Sequence, residues 1–318
     1  MITYGLIGCG NIGTKRLISM SKDKESKLKY IIGPLKKNQK SDCKGKMMAK
    51  KLNCVFSYDR KVLINSDVDA VILSTGPTLF RKIGSEILRS NKHLLIEKPL
   101  GMNEDDALYL TNLAKKKKLV LKTGFNLRFD NGIIKAKKMI DLNKIGKIYF
   151  FSCTYVNGSV VTNKNKVGAL SDIGSHSLNL FEYFIKKQIS KFNCLRISHE
   201  HKKDDNGFLI AKVDNILCSI HFSFIRWKNK FSLEISGDKG YIKIRSLPKW
   251  GKQTLIYGKR VFPSGKPIVT TESFYKDKSW FNEWEFFKKL IKNKNYSSNF
   301  EGLSNMKIIN RINNVKIS

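Results

Sequence analysis

Acidic residues are scarce in this 318-residue chain: 26 Asp and Glu face 60 Lys and Arg, a formal charge of +34. Arginine is scarce as well, at ten, so lysine carries most of the positive charge. Nucleic-acid recognition favours the planar, bidentate guanidinium, and these lysines are spread along the chain. Two readings remain: an anion-attracting surface, or a coding bias toward lysine shared with the abundant Asn and Ile. No nucleic-acid partner is expected. On either reading the charge raises the local concentration of anionic ligands such as nucleotides.

Long apolar runs are missing too. None reaches the roughly 18 residues of a spanning helix, so a helical membrane protein is excluded and no membrane partner is expected. The opening MITYGLIGCG has no basic n-region and no cleavage pattern, and reads as a first strand rather than a signal peptide. The six cysteines (9, 43, 54, 153, 194 and 218) contain no C-x-x-C pair, which argues against a zinc knuckle or a disulfide framework. Reduced thiols in a cytoplasmic protein are the expectation. With 41% hydrophobic and 27% charged residues the chain is globular rather than disordered. Its length sets an expectation of two domains.

Chemistry begins at the first turn. Ile2–Ile7 is a short apolar strand, followed at once by Gly8-Cys9-Gly10-Asn11-Ile12-Gly13 and a helical pattern through Leu17 and Ile18. In such a strand–turn–helix unit the first glycine permits the tight turn. The second lets a pyrophosphate approach the backbone, and the third lets helix pack on strand. A second strand, Leu28–Ile32, ends in Gly33-Pro34-Leu35-Lys36-Lys37. The acid that would bond a ribose 2′-hydroxyl is missing there. A 2′-phosphate is therefore not repelled, and either Lys36 or Lys37 could pair with one, a lean toward NADP within NAD(P). Asp69–Thr75 and His93–Ile96 are further buried-type strands. With the helix Glu104–Lys118 and the strand Leu119–Thr123 they form an alternation that predicts a parallel, doubly wound sheet.

Several segments then fall in order: Gly8-x-Gly10-x-x-Gly13; Val68-Asp69-Ala70-Val71 through Ser74-Thr75-Gly76-Pro77; Glu97-Lys98-Pro99-Leu100; Gly124-Phe125-Asn126-Leu127-Arg128-Phe129; Gly168 through Asp172-Ile173-Gly174-Ser175-His176; and Glu234 through Gly240. In these the chain resembles the Gfo/Idh/MocA oxidoreductases, which include glucose–fructose oxidoreductase, inositol dehydrogenase and many sugar and nucleotide-sugar dehydrogenases. The resemblance spans essentially the whole chain. It implies an N-terminal Rossmann domain, residues 1–122, and an α+β domain with a mostly antiparallel open sheet, residues 123–318. Cofactor contacts are implied at Gly8, Gly10, Asn11, Ile12, Gly13, Lys36, Ser74, Thr75, Pro77, Glu97 and Lys98. Departures stand at Gly76, often Pro in the family, at Phe80, often His, and at Asn179, often Asp.

The resemblance implies that Lys98 lies at the domain junction near nicotinamide and substrate. A lysine at a strand end is suited to stabilise an alkoxide. Pro99 fixes the turn and is expected to be cis, as in relatives. Asp172 and His176 are four apart. If the segment from Leu170 is helical, both face one way, and the carboxylate orients the imidazole as general base. Asn179, one turn on, is expected to bind substrate or orient His176. Asn126 and Arg128 are expected to touch substrate or cofactor. His199 and His201 sit in the polar run SHEHKKDDNG, which reads as a hairpin loop, and no metal is expected.

The second half is strand-rich: Ile148–Tyr155, Phe192–Ile197, Phe208–Val213, Ile216–Phe224, Phe231–Ile235 and Tyr241–Ile244, with helices at Ser175–Ile185, Trp280–Ile291 and Asn305–Val315. Phe222, Phe224 and Trp227 fit burial in a core or an interface. In the family the open sheet face makes homodimers or homotetramers. The expected function is an NAD(P)-dependent dehydrogenase or reductase acting on CH–OH groups of a sugar, polyol or nucleotide sugar. The alternative is a non-catalytic dinucleotide-binding sensor or partner subunit.

Overall fold

The computed structural model describes residues 1–34, 39–160 and 167–315. They form two compact units: Met1–Asn126 with Trp280–Lys307, and Leu127–Ser279 with the C-terminal residues from Ile308.

In the first unit strands and helices alternate: β1 (Ile2–Ile7), α1 (Asn11–Met20), β2 (Ser26–Ile32), α2 (Gln39–Leu52), β3 (Val55–Ser57), α3 (Arg60–Ile64), β4 (Ala70–Leu73), α4 (Phe80–Arg89), β5 (His93–Glu97), α5 (Glu104–Lys116) and β6 (Leu121–Gly124). The strands pair in parallel in the order β3-β2-β1-β4-β5-β6. The central strand AVIL is buried throughout, because both faces of a parallel sheet are covered. The order reverses between β1 and β4. In such sheets ligands bind at that switch point, beyond the carboxyl ends of the strands.

The second unit contains α6 (Asn131–Asp141), β7 (Ile148–Val156), a π-turn at Leu170–Gly174, α7 (Ser175–Ile185) and seven further strands. These are β8 (Lys191–Ile197), β9 (Asn206–Val213), β10 (Ile216–Ser223), β11 (Lys230–Gly237), β12 (Gly240–Arg245), β13 (Gln253–Val261) and β14 (Gly265–Phe274). Their sheet runs β14-β13-β12-β11-β7-β10-β9-β8. Every pair is antiparallel except β7 with β10. Phe151 of β7 meets Phe181 of α7 edge-on, with ring centroids 5.2 Å apart, so this helix covers one sheet face. Burial alternates along β9, as expected of a strand with its other face open.

One expectation needs correction. The helix α8 (Ser279–Lys292) lies past residue 122, yet nearly all of it belongs to the first unit. Its buried Trp284, Phe287 and Leu290 join Tyr4, Leu6 and Leu28 in one apolar core. The Trp284 indole N–H donates to Asp23 at 2.8 Å. Phe222 and Phe224 are fully buried in the core, and Trp227 is 70% exposed. Among the described residues no helix is long and apolar enough to cross a membrane.

Candidate active site

The glycine turn closes where β1 passes into α1. Gly8 has φ +95° and its N–H bonds Ile32 O at 3.0 Å. A Cβ there would lie 2.8 Å from the Ser74 carbonyl, and one on Gly13 would lie 2.1 Å from Gly8 O. Both glycines are thus required by packing. Gly10 is different: a Cβ there would meet nothing within 4 Å. It faces open space at the start of α1, where no side chain caps the first N–H groups. Asn11 and Ile12 follow it on the exposed face. Uncapped N–H groups at a helix start attract phosphate. Just across, after β4, Ser74 Oγ and Thr75 Oγ1 are buried with no hydrogen-bond partner among the described residues. Pro77 opens the short turn that follows. This cradle fits a dinucleotide.

One contributor escaped the sequence reading. Lys44, on α2, donates to Asn11 Oδ1 at 2.8 Å, so a cation from a distant helix stands over the turn. Gly33, where an acid was looked for, is buried, and a Cβ there would press on Phe56 and Tyr58. Lys36 lies outside the described residues.

Glu97 ends β5 and Lys98 follows it, and the Lys98–Pro99 peptide is cis. Lys98 is half-buried. Glu97 is tied inward: Arg16, 1% exposed, donates from Nε to Glu97 Oε1 at 2.6 Å and from Nη1 to Glu283 Oε2 at 2.9 Å. Lys122 stands 3.7 Å from the other oxygen of Glu283 and donates to Glu301 at 2.9 Å. Burial pushes the Glu283 carboxyl above its ordinary range. Gly124 is needed beside this cluster, since a Cβ would sit 2.5 Å from Arg16 Nη2. Asn126, last residue of this unit's first stretch, is 6% exposed.

In the second unit Asp172 lies in the π-turn and His176 in the first turn of α7. The segment from Leu170 is helical, its first turn being the wider π form, a feature frequent at functional sites. The Asp172 N–H bonds Gly168 O at 3.0 Å, and Ser175 Oγ donates to Asp172 O at 2.6 Å. His176 is 7% exposed and Asn179 2%. Asn179 Oδ1 has no hydrogen-bond partner among the described residues. His176, Asn179 and Tyr183 are spaced i, i+3, i+7 and share one helix face. The Arg128 guanidinium stacks over Tyr183 at 4.5 Å, which brings it to the same helix. Tyr155, read from sequence only as strand, has its ring 6.1 Å from that of His176. Lys249 donates to its hydroxyl at 2.9 Å and lies over Trp250 at 4.9 Å.

The remaining histidines are engaged elsewhere. His93 Nδ1 accepts from Val120 N–H at 3.0 Å, and His221 stacks on Phe208 at 4.0 Å. Burial lowers the His221 pKa to about 4. The Asp205 carboxylate accepts the backbone N–H groups of His199, Glu200 and His201 at 2.6–3.1 Å, which folds their loop.

Residues 2–125 match the oxidoreductase family with an NAD-binding Rossmann fold, and residues 133–243 match the C-terminal domain of the GFO/IDH/MocA proteins. Myo-inositol 2-dehydrogenase of Thermotoga maritima is 27% identical over 150 residues, 47% of this chain and 44% of that protein. The chain spans about half the length of the first curated relatives it matches. Among solved structures, levoglucosan dehydrogenase in complex with NADH superposes with a TM-score of 0.84 at 19% identity, over 98% of this chain and 95% of that one. A 3-ketoreductase from Actinomadura kijaniata, in complex with TDP-benzene and NADP, does so at 0.80 and 18%, over 98% and 96%. At these identities the structures share the fold.

Proposed function

Because this chain belongs to the Gfo/Idh/MocA oxidoreductase family, we propose that it moves a hydride between a nicotinamide dinucleotide and a ring hydroxyl or ketone of a sugar, polyol or nucleotide sugar. The observation that supports this reading is the π-turn carrying Asp172 that runs directly into α7, where His176 and Asn179 are buried.

The nicotinamide, when bound, supplies the hydride acceptor or donor. The protein's groups do the rest. Gly8, Gly10 and Gly13 shape the phosphate cradle, with Asn11, Ile12 and Lys44 at its rim and Ser74, Thr75 and Pro77 facing it. His176 takes the hydroxyl proton at an imidazole nitrogen during oxidation and returns it during reduction. Asp172 orients that imidazole and stabilises its charged form. The Lys98 ammonium stabilises the negative charge growing on the substrate oxygen. Asn179 Oδ1, buried and open to a donor, accepts from a substrate hydroxyl. Asn126 and Arg128 complete the binding groups. The absent acid at Gly33 and the basic Lys36 support NADP over NAD, and the overall charge favours an anionic ligand.

The open face of the second sheet carries Leu195, Phe208, Ile210 and Leu217, each 49–66% exposed. A second copy of the chain is the proposed occupant. The free, mostly buried cysteines fit a reducing cytoplasm.

The test is turnover of myo-inositol, levoglucosan and a UDP-sugar with NAD⁺ and NADP⁺. Lys98→Met and His176→Ala should each lose about 10²–10⁴-fold in rate while dinucleotide affinity holds. A His176→Ala variant at wild-type rate would overturn the assignment of the base.

A further inference from the structure

The candidate base sits on a segment that is held from below by a second buried acid. Asp204 is 5% exposed and lies at the end of the polar SHEHKKDDNG loop, just before β9. Its Oδ2 accepts the Leu170 N–H at 2.7 Å, and its backbone carbonyl accepts the Ala169 N–H at 2.8 Å. Leu170 is the first residue of the π-turn that carries Asp172. One acid thus grips the entry to this turn by side chain and main chain at once.

The approach is close. A Cβ on Gly168 would lie 2.3 Å from Asp204 Oδ1, so only glycine fits there. Gly168 O in turn accepts the Asp172 N–H. The acid itself is anchored. Arg196 Nη1 stands 3.8 Å from Asp204 Oδ1, and this 6%-exposed guanidinium also donates to Asn313 Oδ1 at 2.8 Å and to the carbonyls of Ile312 and Val315. Asp205, next in sequence, stitches the loop below through three backbone N–H groups and through the Phe224 N–H at 2.7 Å.

We propose that Asp204 is a positioning residue for the reaction, fixing the π-turn so that Asp172 and His176 keep their working geometry. The proposal rests on the assignment of His176 as base. A buried acid accepting two N–H groups of a segment that bears the reacting pair is a rigid support. A displacement of about 1 Å at such a pair costs about 10²-fold in rate. Asp204 touches no reacting atom in this scheme. It acts through the backbone at 168–172.

The experiment combines kinetics with a readout that needs no substrate. Asp204→Ala, Asp204→Asn, Gly168→Ala and the double Gly168→Ala/Asp204→Ala variants are compared with wild type and His176→Ala, using myo-inositol with NAD⁺ and NADP⁺. In parallel, proteins labelled with ¹⁵N-histidine are followed by NMR, the His176 signal being assigned by its loss in His176→Ala. Asp204→Ala should lose about 10²-fold in kcat with KM and NADH affinity within about threefold. Asp204→Asn, which keeps an oxygen for the Leu170 N–H, should recover most of that loss. Gly168→Ala should impair the enzyme alone but add much less to Asp204→Ala, because its closest clash, 2.3 Å, is with that side chain and only the contact with Asp204 O at 3.0 Å remains. The His176 ring signal should move in Asp204→Ala and return in Asp204→Asn. Should Asp204→Ala fail to fold, the Asn and Gly168→Ala variants decide the matter alone. An unmoved His176 signal in folded Asp204→Ala or Gly168→Ala overturns the proposal, as does wild-type kcat in either. Wild-type turnover by His176→Ala instead removes the assignment of the base, and the NMR result still reports on the clamp.

Discussion

Asp130 offers a sharp test of how burial governs stability in the second unit. It caps α6, and its Oδ1 accepts the N–H groups of Gly132 and Ile133 at 3.0 and 3.3 Å. It is only 2% exposed, and burial raises its pKa to about 6, against the bonds from Gln253 and the backbone that favour the charged form. Unfolded, the same carboxyl titrates near pH 4. Between about pH 4 and 6 the folded protein therefore holds a proton that the unfolded chain has lost. Stability contributed by this group falls as pH rises through that window. A gap of about two pH units corresponds to about 3 kcal/mol. Asp130→Asn keeps an oxygen for the cap and removes the titration. The variant should match wild type near pH 4 and exceed it by up to about 3 kcal/mol at pH 7.5, or about 6–12 °C in Tm. Urea and thermal unfolding across that range measure the difference. A variant less stable than wild type at pH 7.5, or a difference that does not change with pH, refutes the reasoning.

Other outcomes follow from the first unit. Arg16→Met takes the Arg16 cation from buried Glu97 and leaves Glu283 only Lys122 at 3.7 Å, and should cost about 3–5 kcal/mol in urea unfolding. That loss should be larger at pH 8 than at pH 5, since lower pH lets the raised Glu283 carboxyl take up a proton. Gly10→Ala should fold with unchanged Tm, because its Cβ meets nothing, yet weaken NADH binding by about tenfold or more. Gly13→Ala, forced against Gly8 O, should instead lower Tm. Ile210→Lys should reduce the oligomer size seen in analytical ultracentrifugation by placing charge in a face that a second copy covers.

Local chemistry was the legible part of this sequence. The glycine turn, the Glu97-Lys98-Pro99 corner and helix α7 each declare themselves within a dozen residues, because their constraints are local. Most strands of the second sheet were read within two residues of their bounds, since apolar alternation marks a half-open sheet. What escaped is long-range. Nothing near Trp284 states that its helix packs on Tyr4 rather than on its neighbours in sequence. Helix α2, QKSDCKGKMMAKKL, has too few apolar residues for a helical stripe. Strand β14 is exposed along most of its length, so alternation cannot mark it. Lys44 reaches Asn11, and Asp204 reaches Leu170, across 33 and 34 residues respectively. Such pairs are set by the fold, not by spacing.

The central claim, a dinucleotide-dependent oxidoreductase, meets its most direct test in a fluorescence titration of the purified protein with NADH and NADPH at moderate salt. The account predicts saturable binding, tighter for NADPH, and weakened about tenfold or more in Gly10→Ala. Binding of neither dinucleotide would contradict it and leave the glycine turn a structural element without a ligand.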